Sequence, residues 1–414
     1  VNDMTAMTAQ DDAPLQIELV DDMPAMKRLR PAWDALLRKD PDSGFYLSWD
    51  WMASLFEVHP GSWCVLCLRD PEDPRALCAV LPMRRRLYWS RSRRVFQAQL
   101  AAASRLGMGE YTGILCDPAR ERWAMAALGL ALGQMDWSHF EIKYEPTGRR
   151  LRMLAAALPK AGFNVTWPPH RINGGKTDQL VVPQIELPDT MEAYYASLSA
   201  NRRQKLTRAR RQMEADPSIQ SRLPTPETFH AMRDDVLALW RKRWEGDLSS
   251  ARIEYLTAQY ALFLDRVWNI GALYMPTLWQ GEEMIGALSH VADRDGRRMT
   301  SVFGARRMGN EKLDIGRLQR GLAIEHAIDE GFRFYDLGHG DETYKYNFAT
   351  GDRKLAYMEV TRRNMKAAHM IPPEYLGSAM RRLRRLIDRE DIKGATAAAA
   401  QIEKALAAWQ QNRG

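Results

Sequence analysis

The chain is poor in cysteine and contains no long apolar run. Only four cysteines occur among 414 residues, too few for the disulfide framework of a small secreted domain. Cys64 and Cys67 have the CxxC spelling, but they lie in the apolar, strand-like run 63–68. Residues three apart on a strand face opposite sides, so the pair cannot close around a metal, and no second pair completes a zinc site. Buried thiols and no metal are the expectation. No stretch approaches the length of a membrane span. The first fifteen residues, VNDMTAMTAQDDAPL, have no apolar core and resemble neither a signal nor a transit peptide. A cytoplasmic location is expected. Acid is in deficit: the net charge is +7 and the pI about 9.2, which favours anionic partners such as nucleotides, nucleic acid or a membrane surface without choosing among them. Hydrophobic residues make up 45% and charged residues 27%, an ordinary globular balance. The length suggests two domains.

The pattern of elements repeats. In the first half, a strand at 15–20 precedes a helix at 23–38, which Pro31 should kink or divide. A helix at 49–58 follows the N-cap candidate Ser48. Strands at 63–69 and 76–83 lead into a variable basic stretch, then a helix (120–134), a strand (139–144) and a helix (149–158). In the second half, helices at 227–244 and 252–267 precede a meander of strands at 272–279, 284–292 and 298–305. Its turns, Gln280-Gly281 and 293–296, have hairpin chemistry. A helix at 316–330 ends at Gly331 and a strand at 333–337 follows. Helix, helix, antiparallel meander, helix, strand occurs twice, which implies a duplicated α/β unit.

The expected organisation is a disordered tail over 1–14, a first domain over 15–180, a basic helical connector over 181–217, a second domain over 218–365, and peripheral helices over 366–414. In the connector, Asp189-Thr190-Met191-Glu192 has capping-box spacing. The stretch NRRQKLTRARRQ places Arg202, Arg203 and Lys205 in a run without acid, suited to a solvated face or to phosphate contacts.

The stretch FYDLGHGDETYKYNFATG, 334–351, interleaves aromatic residues with glycines, acids and one lysine at the exit of a strand. Polar groups on a glycine-loosened backbone at a strand exit are a common way to build a ligand site in α/β sheets. The segment YDLGHGDETYKYNFA resembles the end motif of the CelD/BcsL-type acetyltransferases, a branch of the GNAT superfamily. Gly340, Asp341, Glu342, Tyr344, Lys345 and Phe348 fit that motif. The segments DIGRLQRGLAIEHAIDEGFRFYDL, WDWMASLFEVH and ALCAVLPM also resemble the family, so the likeness covers most of residues 15–365.

The resemblance implies tandem GNAT-like (acyl-CoA N-acyltransferase) units, each a mixed sheet flanked by helices, and acyl transfer, EC class 2.3.1, from acetyl-CoA or another acyl-CoA. The implied acceptor is a saccharide or lipid-linked saccharide of a bacterial exopolysaccharide, with peripheral association with membrane polysaccharide-synthesis machinery. Fem-type aminoacyltransferases, which use aminoacyl-tRNA, share the layout and an aromatic–Lys pair. They are the rival enzymatic reading; a catalytically inactive module of a polysaccharide-synthesis complex is the third.

Such a site needs an anion cradle at a helix start, where N–H groups and the helix dipole favour phosphate. The loop 306–317 has that position and offers Arg306, Arg307, Gly309, Gly316 and Arg317, although Asp314 adds an opposing charge. It also needs two strands that part, here 298–305 and 333–337, to admit the thioester arm. Finally it needs a base for the attacking amine or hydroxyl. Glu342 is the first candidate, against an ion pair with Lys345; Asp341 and His339 are the others. Lys345 would stabilise an oxyanion or a phosphate. Tyr344 and Asp336 would face substrate, although Asp336, inside a strand, equally suits a structural pair. His290, mid-strand, suits a satisfied core histidine. With no Ser or Cys elbow and no HxxxD motif, direct attack in a ternary complex is expected.

Overall fold

The hairpin 77–102 shows how the basic stretch after Met83 is used. Strand β1 (Ile17–Val20), helices α1 (Met23–Lys39) and α2 (Trp49–Val58), and strand β2 (Trp63–Arg69) precede it. Strand β3 (Leu77–Ser90) continues past Met83 and returns as β4 (Val95–Ala102). Its arginines find partners on the sheet surface: Arg86 bonds Gln99 at 2.9 Å and Arg84 bonds Glu141 at 3.3 Å. Asp22 and Ser48 cap α1 and α2 by accepting the N–H groups of Ala25 and Trp51. Pro31 does not divide α1. It lies on the exposed face, where water can satisfy the Lys27 carbonyl that loses its helical partner.

This computed structural model describes residues 16–309, 313–365 and 370–411; the tail expected to be disordered, 1–14, lies outside them. The chain forms two compact units, one running to Pro169 and resuming at Leu355, the other His170–Lys354. The first unit continues with α3 (Glu121–Gln134), β5 (His139–Glu145), α4 (Arg149–Ala157) and β6 (Phe163–Thr166). Its main sheet has the order β1-β2-β3-β4-β5, then the strand Ala356–Arg362, then β6. The helices Leu376–Ile387 and Ile392–Gln411 are more than peripheral. They pack Ala379, Leu386, Ala398 and Ile402 against Trp89 and Phe96 of the hairpin in a core of their own.

The second unit contains β7 (Val181–Glu186), α5 (Met191–Ser197), α6 (Ala200–Glu214) and β8 (Ile219–Arg222). Then come α7 (Phe229–Trp244), α8 (Ser250–Asn269), β9 (Thr277–Gln280), β10 (Glu283–Asp293), β11 (Arg298–Arg306), α9 (Ile315–Asp329), β12 (Phe334–Asp336) and β13 (Gly351–Lys354). The sheet order β8-β9-β10-β11-β12-β7-β13 repeats that of the first unit. In each sheet the next-to-last place is taken by a strand from elsewhere in the chain. Residues 181–217 therefore form part of this unit. Gln184 of β7 pairs with Asp336 of β12, and Leu206 of α6 joins the core that contains Ala323 and Ile324 of α9. The strand Ala356–Arg362, grouped with the second domain in the sequence reading, pairs instead with β5 and β6. Thr190, rather than Asp189, caps α5.

All four cysteines are buried and unbridged, and burial pushes the Cys64 thiol up to about 12.

Candidate functional site

In each unit two parallel neighbours pair briefly and then part. In the second, β11 and β12 pair at Arg298↔Phe334, Met299↔Tyr335 and Thr300↔Asp336. From Ser301 onward, β11 pairs only with β10 among the described residues. The register with β10 shifts between Ser289 and His290, so Val302 is a bulge residue. A bulge bends its strand, here at the point where the strands separate. The result is a wedge with a free backbone edge. In the first unit, β4 and β5 part after Ala101↔Glu141, but the chain fills that gap itself. Thr112 gives its hydroxyl to the Lys143 carbonyl at 2.7 Å and its N–H to the Tyr144 carbonyl at 3.3 Å. The two wedges thus differ in chemistry, and the second is the candidate site.

The chain leaves β12 through Gly338 and Gly340, both at positive φ, +76° and +96°. Gly340 is required for a second reason. A Cβ there would lie 2.6 Å from both the Gln179 amide nitrogen and a Glu342 carboxylate oxygen. Lys345, only 4% exposed, holds the loop together. Its ammonium donates to the carbonyls of Gly338, His339 and Gly340 at 3.0, 2.5 and 3.1 Å and lies 3.0 Å from Glu342. Asp341 accepts the Asp178 N–H at 2.7 Å. Glu342 and His339 are half-buried and Tyr344 is 51% exposed. Glu342, Asp341, His339, Tyr344 and Lys345 therefore share one loop beside the wedge.

Asp336 is fully buried. It accepts from Arg353 at 3.0 Å, Arg298 at 3.4 Å and the Gly338 N–H at 2.9 Å, the structural pairing a charged strand residue needs. The expected anion cradle is partly filled by the chain. Asp314 caps α9 by accepting the Arg317 N–H at 3.1 Å, and its carboxylate also pairs with the Arg317 guanidinium. Arg307 is held by Glu283 at 2.6 Å and Gln280 at 2.9 Å. Arg306 lies over Gly316 and has no ion pair among the described residues. Gly309 is exposed at a φ of +87°; residues 310–312 of this loop lie outside the described residues. On α6, Arg203 and Lys205 are exposed and Arg202 is half-buried.

Two features were not read from the sequence. Arg320 of α9 is buried in a stretch whose neighbours Ala323, Ile324 and Ala327 face the core; a charge inside a helix's apolar stripe was the available signal. The second is a buried chain of polar groups under the wedge. His290 Nε2 lies 2.8 Å from the Tyr335 hydroxyl, which also bonds Ser301, while Nδ1 lies 3.2 Å from the Tyr274 carbonyl. A carbonyl only accepts, so Nδ1 carries the proton and Nε2 accepts from Tyr335. Burial lowers His290 to about 3, so it is a neutral core histidine. Burial likewise pushes Tyr335 up to about 12. Among the described residues no group of His, Cys, Asp and Glu is arranged to hold a metal, and no helix is long and apolar enough to cross a membrane.

Residues 200–346 match the family model described as an acetyltransferase (GNAT) domain. Comparison of the sequence with curated proteins gives no match. Among solved structures, the crystal structure of FemX aligns over 83% of this chain and 96% of its own, at 10% identity and a TM-score of 0.55. The structure of L-PGS from Bacillus licheniformis aligns over 84% and 93%, at 9% identity and 0.47. A tandem GNAT protein from the clavulanic acid biosynthesis pathway aligns over 85% and 100%, at 12% identity and 0.45. The fold is a tandem of GNAT-like units, related in layout to Fem-type transferases, and the residues that match the acetyltransferase (GNAT) domain model lie within the second unit.

Proposed function

We propose that the second unit transfers an acyl group from acyl-CoA to an amine or hydroxyl of a saccharide or lipid-linked saccharide. The observation that carries this reading is the open wedge at Ser301–Arg306, whose free strand edge suits an amide-bearing thioester arm. The arm pairs with the edge of β11 and brings the acyl carbonyl to the bulge at Val302. Arg306 and the backbone near Gly309 and Gly316 face the donor phosphates. Glu342 takes the proton as the acceptor attacks, and collapse of the tetrahedral adduct expels the thiolate. Asp341 and Lys345 fix the loop, and the Lys345 charge lowers the energy of negative charge that develops beside it. His339 and Tyr344 contact the acceptor, with Arg202, Arg203 and Lys205 available to a phosphorylated one. The likeness of the end motif to CelD/BcsL-type acetyltransferases supports a polysaccharide precursor as acceptor.

Aminoacyl-tRNA as donor is the second reading. The observation in its favour is the Asp314 cap, which occupies the helix start that a pyrophosphate would use. Thermal shift separates the two, because a ligand of the folded state raises the melting temperature by mass action. CoA and acetyl-CoA are expected to stabilise the protein, and Arg306→Gln to reduce the shift. A shift with charged tRNA and none with CoA would replace the first reading by the second.

A further inference from the structure

Arg320 is a buried cation that forms no ion pair among the described residues. It is 9% exposed, its Nη1 is sealed from solvent, and that atom has no hydrogen-bond partner among the described residues. The contrast with Arg150 of the first unit is direct. Arg150 is 1% exposed and is met by both Asp40 oxygens at 2.6 and 2.8 Å and by Glu121 at 2.7 Å. Around Arg320 there are aromatic faces instead: the guanidinium carbon lies 5.7 Å from the Tyr344 ring centre and 5.5 Å from that of Phe348. Ring faces offset only part of the cost of desolvating a guanidinium. Arg306, also without an ion pair among the described residues, acts with Arg320 on the Tyr344 hydroxyl, and Arg202 acts with Arg320 on that of Tyr194. The charge of Glu342 opposes them at the Tyr344 hydroxyl, but its carboxylate lies against Lys345. The charge around Tyr344 is thus positive in excess, on the side of the loop that faces α9.

We propose that Arg320 anchors an anionic group, a carboxylate or a phosphate, of a substrate of this site, bound beside the ring of Tyr344. A planar guanidinium matches either group with paired hydrogen bonds. The assignment rests on the reading of the wedge as the acyl-transfer site, and it makes the donor or the acceptor anionic at the end that passes Tyr344. The group would enter beside the Tyr344 ring, which is 51% exposed.

Isothermal titration calorimetry with inorganic phosphate, succinate and CoA, at matched ionic strength, tests this on the wild type, Arg320→Met and Arg320→Lys. At least one of these anions is expected to bind the wild type. Arg320→Met is expected to weaken it roughly 10- to 100-fold, the usual loss of a hydrogen bond to a charged group. Arg320→Lys keeps the charge without the fork and should fall between them, which provides the test if the methionine variant does not fold. The unliganded melting temperature of Arg320→Met should equal or exceed that of the wild type, since a cation without a counter-charge has been removed. Weakening confined to CoA assigns the anion to the donor; weakening confined to phosphate or succinate assigns it to the acceptor. If CoA binds no variant while Arg320-dependent phosphate or succinate binding persists, the acyl-CoA reading fails and this one stands. Anion binding that is unchanged in Arg320→Met, with a melting temperature lowered by several degrees, would make Arg320 a ring-packing residue and overturn the proposal. So would a wild type that binds none of the three.

Discussion

The Lys345 ammonium lies 3.0 Å from a Glu342 carboxylate oxygen while it donates to three consecutive carbonyls, those of Gly338, His339 and Gly340. One buried cation thus sets both the path of the strand exit and the position of the acid beside it. The two residues should separate by experiment. Lys345→Ala leaves three carbonyls without their donor and a carboxylate without its counter-charge and should cost roughly 2–4 kcal/mol in urea unfolding. Glu342→Gln keeps the side chain's shape and leaves the Lys345 bonds to the three carbonyls in place, so the fold and donor binding should survive. Its turnover should fall about 10²–10⁴-fold with loss of the acidic limb of the pH–rate profile, because no carboxylate remains to be protonated. Near-normal turnover by folded Glu342→Gln would remove Glu342 as the base and leave His339 as the next residue to test.

Gly340 provides a test of the same geometry from the backbone. Its φ of +96° strains any side chain, and a Cβ would press within 2.6–2.8 Å of the Glu342 carboxylate and the Gln179 amide. Gly340→Ala should cost on the order of 1–3 kcal/mol and lower turnover further than that loss explains, since the carboxylate itself is displaced. Gly351→Ala is the control: no atom lies within 4 Å of its Cβ position and its φ is not positive, so both stability and turnover should stay close to wild type.

The buried His290 makes stability depend on pH in a definite direction. Its folded value, about 3, lies below the ordinary 6.5 because burial disfavours the imidazolium. The unfolded chain therefore binds the proton first as pH falls. This contribution is complete above about pH 6.5 and is lost progressively toward pH 3, at roughly 1.4 kcal/mol per pH unit for one proton. His326 and His139, also lowered by burial, add the same sign. Comparing unfolding free energies of the wild type and His290→Gln between pH 6.5 and 4 isolates the term. The variant should show the shallower slope, and equal slopes would mean that His290 is protonated in the fold.

The repeated helix, helix, meander, helix, strand order was legible because strong periodicity and turn chemistry are local. Ser48, Gln280-Gly281 and Gly331 each act within a few residues of where they stand. The strand Val181–Glu186 was not legible as part of a sheet. Its partners are Phe334–Asp336 and Gly351–Lys354, more than a hundred residues away in sequence, and nothing local announces such a pairing. The motif 338–348 was read as one cluster, and the structure brings its residues together on one loop. The saturation of the Lys345 ammonium by carbonyls was not readable, since it depends on a backbone that doubles back through two glycines. The Asp314–Arg317 pair could have been read, because an acid three residues before an arginine at a helix start satisfies cap and charge locally.

Arg150 and Asp40 give the last prediction, and it has the opposite sign to that for Arg320. Asp40 receives the Arg150 fork at 2.6 and 2.8 Å and the Cys116 N–H at 2.9 Å, while Glu121 binds the Arg150 Nε at 2.7 Å and the Ile114 carbonyl accepts at 2.8 Å. Here the cation is fully partnered, and removing Asp40 takes the main counter-charge from the buried fork, with Glu121 left at Nε and Asp42 at 3.5 Å. Asp40→Ala should cost roughly 3–5 kcal/mol in chemical unfolding. The double change Asp40→Leu with Arg150→Met removes both charges and should recover much of that loss, because the desolvation penalty goes with them. The Cys116 N–H, which also loses its acceptor, sets the limit of the recovery. A double variant as unstable as Asp40→Ala alone would mean that Asp40 acts through Cys116 and the local chain path rather than through its charge on Arg150.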